Sequence, residues 1–166
     1  MPIHTDFRQV VLTLSDALDL VGVDDVGHGK RVGIMAAECA ACMGLDEDER
    51  SFLFDLGLLH DIGVSSTRVH RHLVTEFDWP EAWRHCRTGH DLLAGFAPLA
   101  AMAEPILHHH TPWSRLHEED VPSELALRAN LILLTDRVDA MAAAFHAEKT
   151  VLPHAERIRD QIRSHR

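Results

Sequence analysis

The chain has 166 residues, 46% of them apolar and only 5% aromatic, with no tyrosine and a formal net charge of −10 when histidine is neutral. That length suits a single domain over residues 1–166 with a sizeable core. The aromatic poverty argues against a β-sandwich or barrel, and the acidity excludes a broad basic face for polymeric nucleic acid. Three cysteines are too few for a disulfide framework, and no apolar run is long enough to span a bilayer, so a reducing cytoplasm is the expected location.

From Asp6 to Val21 the residues Val10, Val11, Leu14, Leu18 and Val21 recur at spacings of three and four, which predicts an amphipathic helix ended by Gly22. A second helix is expected from about Asp25 to Met43, closed by Gly44. Within it Cys39 and Cys42 form a C-x-x-C with no second such pair, and they read as small core residues. Asp46 followed by Glu49 has the pattern of a capping pair opening a third helix, from about Glu47 to His60. Residues 64–77 are ambiguous. Asp78 and Pro80 open a helix through Arg84 and His85, and Pro98 opens another to His110 with a kink at Pro105. Thr111 to Pro122 reads as a loop, Ser123 starts a long helix through Ala144, and a last helix begins near Pro153. The expected fold class is all-α, a helical bundle.

Fourteen histidines is a high count, and their placement carries the argument. His28 precedes the doublet His60-Asp61 by 32 residues, and His85, His109-His110 and Asp136 follow at intervals of 24 to 26. Each falls on a predicted helix or helix end, and nitrogen and oxygen donors brought together from several helices are how a bundle builds a multi-metal site in its core. Taken singly, any of these histidines is more often a hydrogen-bonded or surface residue. Asp136 is the exception, because it follows the apolar run Leu131-Ile132-Leu133-Leu134 and a buried carboxylate needs a partner or a metal. Asp139 is suited to orient a ligand histidine.

Six stretches occur in order: His28-Gly29-Lys30-Arg31-Val32, Leu58-Leu59-His60-Asp61-Ile62-Gly63, His85-Cys86-Arg87-Thr88-Gly89, Ile106-Leu107-His108-His109-His110, Arg128-Ala129-Asn130-Leu131 and Leu134-Thr135-Asp136-Arg137-Val138-Asp139-Ala140. In these the chain resembles the HD-domain superfamily, and within it the HD-GYP group most, over about residues 24 to 145. The resemblance implies an HD-domain bundle that holds two or three divalent metal ions and hydrolyses cyclic di-GMP. Iron or manganese is the expected metal, with zinc, magnesium and nickel as alternatives. The implied ligands are His28, His60, Asp61, His85, His109, His110 and Asp136, with Asp61 bridging two metals and Asp24 as an additional ligand. His60 and Asp61 would be the catalytic pair, with a metal-bridging hydroxide attacking phosphorus. The implied partner is a small-molecule nucleotide, with fused signalling domains and a homodimer both open.

Departures from the family pattern bear on recognition of the substrate. The lysine usual four positions after the doublet histidine is Val64, the glutamate usual after the double histidine is Thr111, and Pro112 to Pro122 contains neither glycine nor tyrosine, so the Gly-Tyr-Pro loop is missing. Arg68, Arg71, Arg115 and Arg137 are candidates to replace the lost phosphate contacts. The leading expectation is a cyclic-dinucleotide phosphodiesterase. The alternatives are a phosphohydrolase for another nucleotide, a metal- or nucleotide-binding signalling module without turnover, and di-iron oxygen chemistry.

Overall fold

The computed structural model describes residues 6–20, 27–64, 82–146 and 151–164, and every regular element among them is a helix. In chain order these are α1 (Phe7–Asp19), α2 (His28–Cys42), α3 (Glu47–Leu59), α4 (Trp83–Ala94), α5 (Ala103–His108), α6 (Trp113–Glu118), α7 (Ser123–His146) and α8 (Ala155–Ser164), with 3-10 turns at Ala100–Met102 and Leu152–His154. The expected all-α class is the one observed.

Local chemistry accounts for the helix ends. The Asp6 carboxylate accepts from Arg8 N at 2.9 Å and starts α1; the Asp46 carboxylate accepts from Glu49 N at 2.9 Å and starts α3. Glu47, Asp48 and Glu49 in the first turn of α3 add negative charge where the helix dipole favours it. Leu20 caps α1, two residues ahead of the predicted stop at Gly22.

Helices α2 and α3 run antiparallel and touch through backbone. A Cβ on Gly57 would lie 2.5 Å from Gly33 Cα, and one on Gly33 would lie 2.6 Å from Phe54 O, so no side chain larger than hydrogen fits at either position. This close approach sets the start of α2, His28, beside the end of α3, His60. Around the pair, Val11, Val32, Leu53, Leu56, Ile106 and Ile132 are fully buried and form one core. Helix α7 crosses this core with Ala129 and Ile132, then buries a polar turn: Thr135, Asp136 and Asp139. The Thr135 hydroxyl is satisfied within the helix, donating to Leu131 O at 2.9 Å.

Three expectations are corrected. The segment from Thr111 to Pro122 is not all loop, because Trp113–Glu118 forms α6, anchored by the buried Leu116. The helix expected from Pro98 is instead a series of turns, a 3-10 segment and α5, which starts only at Ala103. Pro105 therefore sits in a first turn, where its missing N–H has no partner to lose and no kink results. Cys42 is exposed and Cys39 only partly buried, rather than both packed in the core, while Cys86 is buried. The ambiguous stretch at 64–77 beyond Val64, and the expected helix start at Asp78 and Pro80, lie outside the described residues.

Candidate metal centre

His28 opens α2, His60 caps α3, His85 lies in the first turn of α4, His109 caps α5, and Asp136 stands on the polar turn of α7. The elements far apart in sequence deliver these side chains to one place, and all five are buried. The loop after α3 is fixed by a second close approach. A Cβ on Gly63 would overlap His85 O and lie 2.5 Å from Gly89 N, so the doublet and His85 are held against each other by backbone contact.

Three of the imidazoles are aimed by the same device. His60 Nδ1 donates to Gly57 O at 2.9 Å, His109 Nδ1 donates to Ile106 O at 2.6 Å, and His28 Nδ1 donates to Asp139 Oδ2 at 2.7 Å. A carbonyl oxygen can only accept, so the proton is on Nδ1 and Nε2 is the nitrogen turned into the site. Among the described residues His60 Nε2 is buried without a hydrogen bond.

The inward atoms fall into two groups. In the first, His28 Nε2 lies 3.3 Å and His60 Nε2 3.7 Å from Asp136 Oδ1. In the second, His85 Nε2 and His109 Nε2 are 3.2 Å apart, with Cys86 Sγ 3.8 Å from His85 Nε2. Asp61 spans the two: its Oδ2 lies 3.4 Å from His60 Nε2 and 4.0 Å from His28 Nε2, and its Oδ1 lies 3.4 Å from His85 Nε2. Donors that share an ion at about 2.1 Å stand about 3 to 3.5 Å from one another; the pairs here stand 3.2 to 4.0 Å apart, close to that spacing, and one carboxylate faces both groups.

The electrostatics agree with the geometry. Burial alone would lower the pKa of His28, but its bonds to Asp136 and Asp139 outweigh that and raise it well above the ordinary value. His60 is raised in the same way, burial being overcome by Asp61 and Asp136. Against burial, Asp61 is held far below the usual carboxylate range by His60 and His85, and Asp136 by His28 and His60. The other imidazoles go the opposite way: burial pushes His85 down to about 4, and burial reinforced by neighbouring imidazoles pushes His109 and His110 down to about 3. Buried carboxylates that demand positive charge stand beside neutral imidazoles that offer lone pairs. A divalent cation in each group satisfies both demands, so the donor set fits the metal ions that the residue pattern implies.

His110 stands apart from the other predicted ligands. Its ring is 4.3 Å from that of His109 and 5.0 Å from that of His85, yet its Nδ1 accepts from Arg137 Nη2 at 3.3 Å. A neutral His110 with Nδ1 accepting carries its proton on Nε2, the reverse of the arrangement in His28, His60 and His109. Arg137 is buried, and Arg115 is exposed on α6 with its Nε 2.9 Å from Glu119 Oε1. Asp24, Arg68 and Arg71 lie outside the described residues.

Sequence reasoning missed Cys86 as a neighbour of the cage. Burial raises its thiol to about 12, and Sγ donates to Ala82 O at 3.3 Å. Neighbouring positions on a helix point about 100° apart, so spacing gave no sign that Cys86 and His85 would approach the same point.

Against curated proteins, the chain is 42% identical over 136 residues to 3'3'-cGAMP-specific phosphodiesterase 1 of Vibrio cholerae serotype O1 (strain ATCC 39315 / El Tor Inaba N16961), a match covering 82% of this chain and 32% of that protein. The chain thus spans about a third of the length of the relative it matches. No family model matches the chain, and no solved structure matches it.

Proposed function

We propose that this chain is a metal-dependent phosphodiesterase acting on a cyclic dinucleotide. The observation that carries the reading is the position of Asp61, with one carboxylate oxygen turned to His60 and His28, which share Asp136, and the other to His85, which stands beside His109. The likeness to a cyclic-dinucleotide phosphodiesterase supports the substrate class.

His28, His60 and Asp136 would hold one ion, His85 and His109 a second, and Asp61 both. Bound there, the ions would lower the pKa of a water and neutralise charge on the phosphoryl oxygens. The chain's own residues set the conditions. Gly57 O, Ile106 O and Asp139 fix which nitrogen of each imidazole faces inward. Neutral imidazoles supply donors without cancelling the positive charge that an anionic phosphodiester needs. Nitrogen-rich ligation favours iron, manganese or zinc over magnesium, which prefers oxygen. Val64 is buried and apolar where the resembling group carries a lysine, so no acid for the leaving oxygen comes from that position.

The test joins metal analysis to turnover. Protein purified without oxygen or chelator is expected to hold two or three iron or manganese ions per chain, and to open 3'3'-cGAMP or cyclic di-GMP to a linear dinucleotide. His60→Ala and Asp61→Ala should abolish that turnover; unchanged rates in either variant would remove the site assignment. The buried Val64 favours one second reading, a module that binds metal and nucleotide without hydrolysis. Tight binding of a cyclic dinucleotide by fully metal-loaded protein with no linear product would establish it.

A further inference from the structure

Beside the cage lies an open cavity of about 470 Å³ between α4 and α6, with Cys86 and His110 in the wall nearest the cage and Trp83, Pro112, Arg115 and Glu119 farther out. That volume is in the range of small-ligand sites. Two features of its wall have no part in holding metal. Trp83 is 62% exposed, a large indole left in water at the cavity's edge, with the Arg84 guanidinium 5.7 Å from its ring. Glu119 is a carboxylate beside a site meant for an anion, and it is paired with Arg115 at 2.9 Å, both side chains being exposed.

We propose that this cavity receives one nucleobase of the substrate, a purine stacked on Trp83 and read along its edge by Arg115 and Glu119, with guanine preferred. The proposal rests on the cyclic-dinucleotide reading and adds the base and the residues that select it. An indole offers any base a flat apolar face, which explains an exposed tryptophan at this position. The Arg115–Glu119 pair offers a donor fork and a two-oxygen acceptor side by side. Guanine presents two adjacent donors, N1–H and the N2 amino group, which one carboxylate can accept together, and its O6 accepts from a guanidinium. Adenine offers that carboxylate only its N6 amino group, so it forms fewer bonds with the same pair. An exposed ion pair is held weakly in water and opens readily to receive the base. A carboxylate that repels phosphate is useful at this place only if it recognises something other than phosphate.

The experiment is calorimetric binding of GMP, AMP and UMP to the metal-loaded chain. The shared phosphate cancels in the comparison. GMP should bind most tightly. Trp83→Ala should weaken GMP and AMP about tenfold, and Trp83→Phe, which keeps an aromatic face, should recover most of that loss. Glu119→Gln should weaken GMP about tenfold and leave AMP within about twofold. Both positions are exposed, so folding is expected to survive, and circular dichroism checks it. Equal binding of the three nucleotides, absence of GMP binding, or GMP binding unchanged in Trp83→Ala and Glu119→Gln would overturn the proposal. Hydrolysis is read separately: a chain that binds GMP as described but cleaves no cyclic dinucleotide loses the phosphodiesterase reading and keeps the base pocket.

Discussion

Asp139 Oδ2 stands 2.7 Å from His28 Nδ1 while its Oδ1 takes Arg31 Nε at 2.8 Å, so one buried carboxylate ties an inward-facing imidazole to a guanidinium. Arg31 Nη2 adds a second contact to Oδ2 at 2.9 Å. Removing such an orienting partner typically lowers metal affinity by about 10- to 100-fold. Asp139→Ala is expected to show that loss. Asp139→Asn, which can still accept from Nδ1 but loses the ion pair, should fall between Ala and wild type. Competition with a chelating dye measures it, and wild-type affinity in Asp139→Ala would remove Asp139 from the argument.

The contact of Gly63 with the backbone of α4 gives a second prediction. Gly63→Ala must push His85 O and Gly89 N away, and neither is a flexible side-chain end. The cost is about 3 kcal/mol, read as a lower urea midpoint. Because His85 moves with the displaced backbone, metal content should fall further than in a surface variant of equal stability.

The histidines predict how pH acts on stability, and with which sign. His28 and His60 have raised folded pKa values, so their contribution is complete below the unfolded value of about 6.5 and is lost as pH rises through the raised values. His85, His109 and His110 are depressed to about 4, 3 and 3. For these the unfolded chain takes protons first, and stability falls as pH drops below about 6.5. Chelator-stripped protein should therefore be most stable near pH 6.5, with thermal midpoints declining on both sides. Metal-loaded protein, in which ions replace the protons of His28 and His60, should stay stable to higher pH. A stripped protein whose midpoint rises steadily from pH 6 to 8 would contradict the assignment of charge.

Arg128 fastens α7 to α3. Its Nε and Nη2 meet the two oxygens of Glu49 at 2.7 and 2.6 Å, and its guanidinium lies 4.5 Å from the Phe52 ring centroid. The groups are half-buried, so Arg128→Ala is expected to cost about 1 kcal/mol in urea unfolding. Arg128→Lys should recover little, since an ammonium cannot make the paired contact.

What could be read beforehand divides along physical lines. Helices α1, α2, α3 and α7 are long enough for the apolar period to show, and Asp46 announced its own cap. The convergence of His28, His60, Asp61, His85, His109 and Asp136 was legible because each sits on an element whose order matched a known arrangement. Helix α6 was not, since six residues with one buried anchor, Leu116, give no period, and Pro112 starts this helix rather than excluding one. The orientation of His110 was hidden for another reason. It depends on Arg137, 27 positions later, whose guanidinium reaches it only in the folded chain. Cys86 likewise acquires its place from packing rather than from spacing.

A chain with formal net charge −10 repels a nucleotide at long range, so attraction has to come from local positive charge, such as ions in the cage. Under the proposed chemistry, opening a cyclic phosphodiester leaves a phosphomonoester carrying about −1.5 to −2 charges at pH 7, where the diester carried about −1. Among the described residues the carboxylates placed to hold ions are Asp61 and Asp136, and ions held there would attract the more highly charged linear product more strongly than the ring it came from, against the repulsion of the acidic surroundings. A burst of linear dinucleotide in the first turnover would show that departure of the product, rather than cleavage of the P–O bond, sets the pace of the cycle.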